Sequence, residues 1–158
     1  MHRNRVRWTL AVVLFLCAAV AMAKSNVPTA NTHAAIKAYV HSAAKYVAKH
    51  GPSCDTFKTK DWMSGDYYVI VTGPAEAVVC HPSESLVGKP VSVIVDKNGM
   101  KVGGDILIES HRKGGGWVDY MWPRPGETEP VKKSTYSMRV KAPDGKWYTV
   151  AAGGYELK

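Results

Sequence analysis

Apolar residues at Ile36, Tyr39, Val40, Ala43, Ala44 and Val47 recur at helical spacing, while Lys37, His41, Lys45 and Lys49 fall on the opposite side. The spacing predicts one amphipathic helix over residues 31–50. Thr29, Asn31 or Thr32 can cap its start, and Gly51-Pro52 marks its end. Downstream the period changes. Short runs rich in β-branched and aromatic residues cover 67–72, 77–81, 116–122, 134–141 and 146–152, each bounded by Gly, Pro, Asp or Asn. Gly73-Pro74 and Pro143-Asp144-Gly145 turn the first and last pairs of runs into hairpins, so the strands are expected to be mostly antiparallel. A crossover over 82–115 separates the second run from the third. It holds a turn at 96–99 and a short helix near 105–112, because so long a connection is seldom structureless.

The run 116–122 places Val118, Tyr120 and Trp122 on one face and Trp117, Asp119 and Met121 on the other. A sheet with aromatic residues on both faces needs a cover on each. The N-terminal helix supplies one and the crossover the other. The expected architecture is α+β: a five-stranded antiparallel sheet with a long helix on one face and a helix and loop excursion on the other.

The first seven residues carry Arg3, Arg5 and Arg7, and an apolar run follows that ends in Ala21-Met22-Ala23. That is the layout of an export leader over residues 1–23, cleaved after Ala23. The competing reading is an uncleaved anchor, for which the run is short. Cleavage leaves residues 24–158 as one domain with no further membrane-spanning stretch, periplasmic or secreted. The net charge of +8 falls to +5 without the three leader arginines. Lysines scattered along an exported chain describe a solvated basic surface and exclude nucleic acid as the expected partner. Cys17 leaves with the leader. In an oxidising compartment, Cys54 and Cys80 are then expected to form a single disulfide, the alternative being two unpaired thiols.

The motifs also come in a telling order. Asp66-Tyr67-Tyr68-Val69-Ile70-Val71 is followed by Val79-Cys80-His81-Pro82, Leu86-Val87-Gly88-Lys89 and Gly116-Trp117-Val118-Asp119-Tyr120-Met121-Trp122-Pro123. Lys133-Ser134-Thr135-Tyr136 comes next, and Trp147-Tyr148 through Gly153-Gly154-Tyr155 closes the series. From about residue 34 to 155 the chain resembles the single Cache domain, type 2. The resemblance implies a PAS-like antiparallel sheet behind a long N-terminal helix. It also implies extracytoplasmic sensing of small molecules, frequently short organic acids, in chemoreceptors and sensor kinases. Such receptors continue into membrane helices and a signalling module, which this sequence lacks, so a free-standing binding protein that signals through a membrane sensor kinase or chemoreceptor is expected.

Capturing a carboxylate takes a cation or several directed donors in a mostly apolar cleft. Tyr120, Trp122 and Tyr136 offer phenol and indole donors on rigid bodies, Lys133 or His81 offers charge, and Tyr68 and Trp117 complete the candidate set. The competing role for each aromatic residue is core packing. Strand alternation sets Lys133 with Thr135, Ser137 and Arg139, opposite Tyr136, so Lys133 is expected to serve the pocket only if its strand starts late enough to let it turn in. Catalysis is not expected. There is no nucleophile elbow and no H-E-x-x-H, and Cys80 and His81 leave a strand on opposite faces. Gly114-Gly115-Gly116 precedes a strand rather than a helix, and 96–99 suits a turn better than a calcium loop. No cofactor or metal is expected. A different class of function, an envelope module that binds another protein through the same fold, stays open.

Overall fold

The computed structural model describes residues 25–158, so the leader and its cleavage site lie outside the described residues. Thr32 opens the first helix. Its backbone is extended, and its Oγ1 accepts from the Ala35 N–H at 3.2 Å. Helix α1 then runs His33–His50, and the Gly51 N–H closes it on the Val47 carbonyl. All six residues of the predicted stripe are buried.

Five strands form one antiparallel sheet: β1 Val69–Thr72, β2 Val78–Cys80, β3 Gly116–Pro123, β4 Pro130–Lys141 and β5 Trp147–Tyr155. Their order is β2-β1-β5-β4-β3, with the two predicted hairpins in place and β5, the last strand in the chain, at the centre. Two strands are longer than the sequence suggests. Pro130 joins β4 at its first position, opposite Pro123, where a missing N–H costs least. Gly153 and Gly154 extend β5 because neighbours fill the space a side chain would take. A Cβ on Gly153 would lie 2.4 Å from Thr135 Oγ1 and 2.7 Å from Lys133 Cε.

Helix α1 lies across β4 and β5 on the back of the sheet, where its stripe meets Val69, Val71, Tyr136, Val150 and Ala152. The front carries the second core, in which Val118, Tyr120 and Ala151 pack against Val102 and Ile106 of a helix from the crossover. Helices α2 (Cys54–Phe57) and α3 (Val102–Ser110) complete the set. Gly103 brings α3 against the 3₁₀ turn Val91–Val93, since its Cβ would stand 2.3 Å from the Val91 carbonyl oxygen. Asp96 ties the crossover to the sheet edge. Its carboxylate accepts from the N–H groups of Asn98 at 2.8 Å, Met100 at 3.0 Å and Met121 of β3 at 3.2 Å. This is the turn predicted at 96–99.

Cys54 and Cys80 are bonded, with Cα atoms 5.0 Å apart, and link α2 to the last residue of β2. No helix among the described residues is long and apolar enough to cross a membrane.

Candidate functional site

Lys133 is an interior residue of β4 and is fully buried. The strand does not start late: β4 begins at Pro130, so Lys133 lies within it. The face it shares with Thr135 and Ser137 is the front, under the crossover. Its side chain crosses the bare backbone of Gly153 on β5 and reaches the residue before β1, where Nζ donates to Tyr68 Oη at 2.5 Å. The ammonium lies 4.1 Å from the centre of the Tyr68 ring and 4.8 Å from that of Tyr155. Among the described residues, no carboxylate is within ion-pair distance of it. Burial pushes the Lys133 ammonium down to about 7, against a smaller opposing effect of the Asp66 charge.

Three tyrosines surround this ammonium. Tyr120 stands directly across from Lys133 on β3 and shares a hydrogen bond with Thr135 Oγ1 at 2.8 Å. Tyr155 donates to the Pro123 carbonyl at 2.7 Å, and burial pushes its phenol up to about 12. Burial also raises Tyr68 and Tyr120, so all three are neutral at ordinary pH. Tyr68 Oη accepts from Lys133, and its own proton is directed at Tyr155.

His81 follows the disulfide-held end of β2 and sets its ring edge-on to Tyr68, centroids 5.3 Å apart. Its Nδ1 accepts the Ser83 N–H at 3.0 Å. Burial, and then the Lys133 charge, push His81 down to about 4. It is therefore a neutral imidazole with its proton on Nε2, a donor and not a cation. Of the two residues expected to offer charge, His81 is neutral above about 4, and Lys133 carries charge on the acid side of about 7.

A cavity of about 30 Å³ lies between the front of the sheet and the crossover. Tyr68, His81, Tyr120 and Trp122 form its polar side; Ile70, Val78, Val91, Val102 and Ile106 form the apolar remainder. Tyr68, His81, Leu86 and Trp122 also line a wider cleft of about 420 Å³ that leads outward past Arg124. Arg124 is engaged by Asp66 and, at 2.8 Å, by Glu156. The chamber thus has an apolar inner end and an open approach, and the Lys133 ammonium lies behind its Tyr68 wall rather than in the lining.

The structure brings Tyr68, His81, Tyr120, Trp122 and Lys133 together. It places Trp117 and Tyr136 on the back, under α1, by the same alternation that puts Lys133 in front. Their rings pack 5.1 Å apart, and the Tyr136 hydroxyl donates to the Gly114 carbonyl. Sequence reasoning missed Tyr155 because Gly153-Gly154 look like a strand stop. It missed the apolar lining because Leu86 and Val91 belong to 3₁₀ turns, and Ile94 follows one, without a periodic signature.

The profile of the family described as Single Cache domain 2 matches residues 19–156. The chain is also similar to the methyl-accepting chemotaxis protein McpP of Pseudomonas putida, with 31% identity over 77 residues, 48% of this chain and 14% of that protein. The match therefore spans only a small part of that relative's length. Among solved structures, a periplasmic sensor domain of a chemotaxis protein superposes with a TM-score of 0.58 at 26% identity, covering 78% of this chain and 92% of the other. A Cache chemosensory domain from a study of carboxylic acid recognition superposes with a TM-score of 0.53 at 27% identity, covering 76% and 73%.

Proposed function

Since the chain belongs to the single Cache domain 2 family, we propose that it is an extracytoplasmic sensor domain that binds a short organic acid. The observation that carries this is the buried ammonium of Lys133 with no carboxylate beside it. An unpaired charge in an apolar interior is costly, and a bound carboxylate supplies the missing partner. The Nε2 proton of His81 adds a directed donor, and the apolar inner end takes the alkyl tail. A chamber this small suits an acid of few atoms. At about 1.5 kcal/mol per heavy atom, a four-atom acid such as acetate gains at most about 6 kcal/mol, or tens of micromolar. The similarity to a Cache domain studied for carboxylic acid recognition supports the ligand class.

We place the domain outside the cytoplasm, exported by a leader cut after Ala23, with its bound or empty state read by a membrane chemoreceptor or sensor kinase. Export suits the Cys54–Cys80 disulfide. Mass spectrometry of the exported chain is expected to give Lys24 as the first residue.

The test of binding is a thermal-shift screen of the mature protein against short carboxylic acids, amino acids, amines and urea, with calorimetry on each hit. An acid at a hundred times its dissociation constant stabilises by about 2.7 kcal/mol, a shift of several degrees at this size. Loss of that shift in a folded Lys133→Met variant locates the site. Silence across the whole panel would reject small-molecule binding and favour the protein-interaction module.

A further inference from the structure

The groups facing the Lys133 ammonium come from every strand around it. They are Tyr68 just before β1, Tyr120 from β3, Tyr155 from β5 and His81 just after β2. From the crossover the packing groups are the apolar Val102 and Ile106. The nearest acidic group to influence it, Asp66, is held by Arg124, as is Glu156. All the facing protein groups are neutral, so what stabilises the charged form of Lys133 in the empty site is hydrogen bonding, the two aromatic faces and the small effect of the Asp66 charge. In the empty protein its ammonium and amine forms are therefore close in free energy near neutral pH.

We propose that a carboxylate and a proton bind this site together: the anion pairs with Lys133 as the ammonium, so binding draws a proton from solvent wherever the empty protein holds the amine. This rests on the organic-acid reading above and adds its regulation. A carboxylate beside Nζ favours the charged form and lifts its titration back toward the ordinary lysine range. The sign follows from linkage. Affinity is greatest and flat in mild acid, then falls as pH rises through the titration of empty Lys133, approaching tenfold per pH unit. Acetate is expected to bind about tenfold more weakly at pH 8 than at pH 6. The sensor would then respond to the acid anion and to acidity as one signal.

The groups that share the cavity titrate outside this window. His81 is already neutral above about 4, and the phenols lose their protons only in strong base. Lys133 is thus the group that the pH dependence reports.

The test is calorimetry of the mature protein with sodium acetate and sodium propionate at pH 6, 7 and 8, each in phosphate and in Tris. The expected result is proton uptake approaching one per acid bound at pH 8, little uptake at pH 6, and the tenfold loss of affinity. NMR of ¹³Cε-labelled lysine should show Lys133 titrating near neutrality in the empty protein and moving to higher pH with acetate. Tight binding at both ends of the range with no buffer dependence would overturn the proton coupling and leave the acid-binding reading standing. Absence of binding even at pH 6 would overturn both. Lys133→Arg, charged throughout, is expected to lose the pH dependence wherever it still binds.

Discussion

Lys133 shows how one residue can be unfavourable for folding and still suit the binding role proposed for it. Its aliphatic stem is well accommodated over Gly153, but its ammonium is held away from water with a single hydroxyl partner. Replacing it with methionine keeps the stem's volume and removes the charge. The Lys133→Met variant is therefore expected to be more stable than the parent at pH 6, by about 2 kcal/mol, while losing all stabilisation by acetate. Urea denaturation with and without acetate reads both effects, and a variant that is less stable and still responds to acetate would contradict them. Gly153 makes the complementary case. A methyl group there would collide with Thr135 Oγ1 and Lys133 Cε, so Gly153→Ala is expected to lower stability by about 1–3 kcal/mol. It should also weaken acid binding, since the ammonium must move with its stem. Unchanged acetate affinity in that variant would mean that the path across β5 does not position Nζ.

At the scale of elements, the site depends on short pieces held from outside themselves. Strand β2 is only three residues long, yet it ends at Cys80, and His81 follows directly. The disulfide to α2 fixes that end. Closing a loop with a sequence separation of 26 contributes about 3 kcal/mol on a chain-entropy estimate. Reduction, or the double variant Cys54→Ser with Cys80→Ser, is expected to lower unfolding free energy by that order and to weaken acid binding through a looser His81. Guanidinium titrations with and without reductant provide the comparison. The crossover is secured at the other side by Asp96. Burial alone would raise its carboxyl, but three backbone N–H groups overcome this and hold it below the usual carboxylate range. That knot binds the crossover to β3, so α3 covers the front of the sheet as a fixed wall.

For the whole molecule, the same buried groups set the response to pH. Lys133 titrates at about 7 when folded and near 10.4 when unfolded, so between these values the unfolded chain binds the extra proton and stability rises with pH. His81 acts in the same direction lower down. Folded at about 4 and unfolded near 6.5, its contribution is fully present above the unfolded value and is lost as pH falls toward 4. The buried phenols have raised values, so their contribution is lost above about 10, where unfolded tyrosines ionise. The empty protein is accordingly expected to gain stability from pH 4 to about 9 and to lose it beyond 10. Acetate should stabilise it most on the acid side. Thermal denaturation across that range checks the shape, and in Lys133→Met the rise between 7 and 9 should flatten.

Much of this protein was legible in its periodicity. The stripe from Ile36 to Val47 predicts α1 and its buried face because helical spacing is a local property of the chain. The alternation in 116–122 predicts a sheet covered on both sides for the same reason, and hairpin turns declare themselves through Gly, Pro and Asp. The motif order identifies the family. Tertiary structure alone decided which face of the sheet holds the chamber, that β5 runs on through two glycines, and that Lys133 meets Tyr68, 65 residues earlier, across an intervening strand. Alternation tells which side chains share a face but not what will cover that face. The cover, the missing counter-ion and the depressed lysine arise only when distant segments exclude water together.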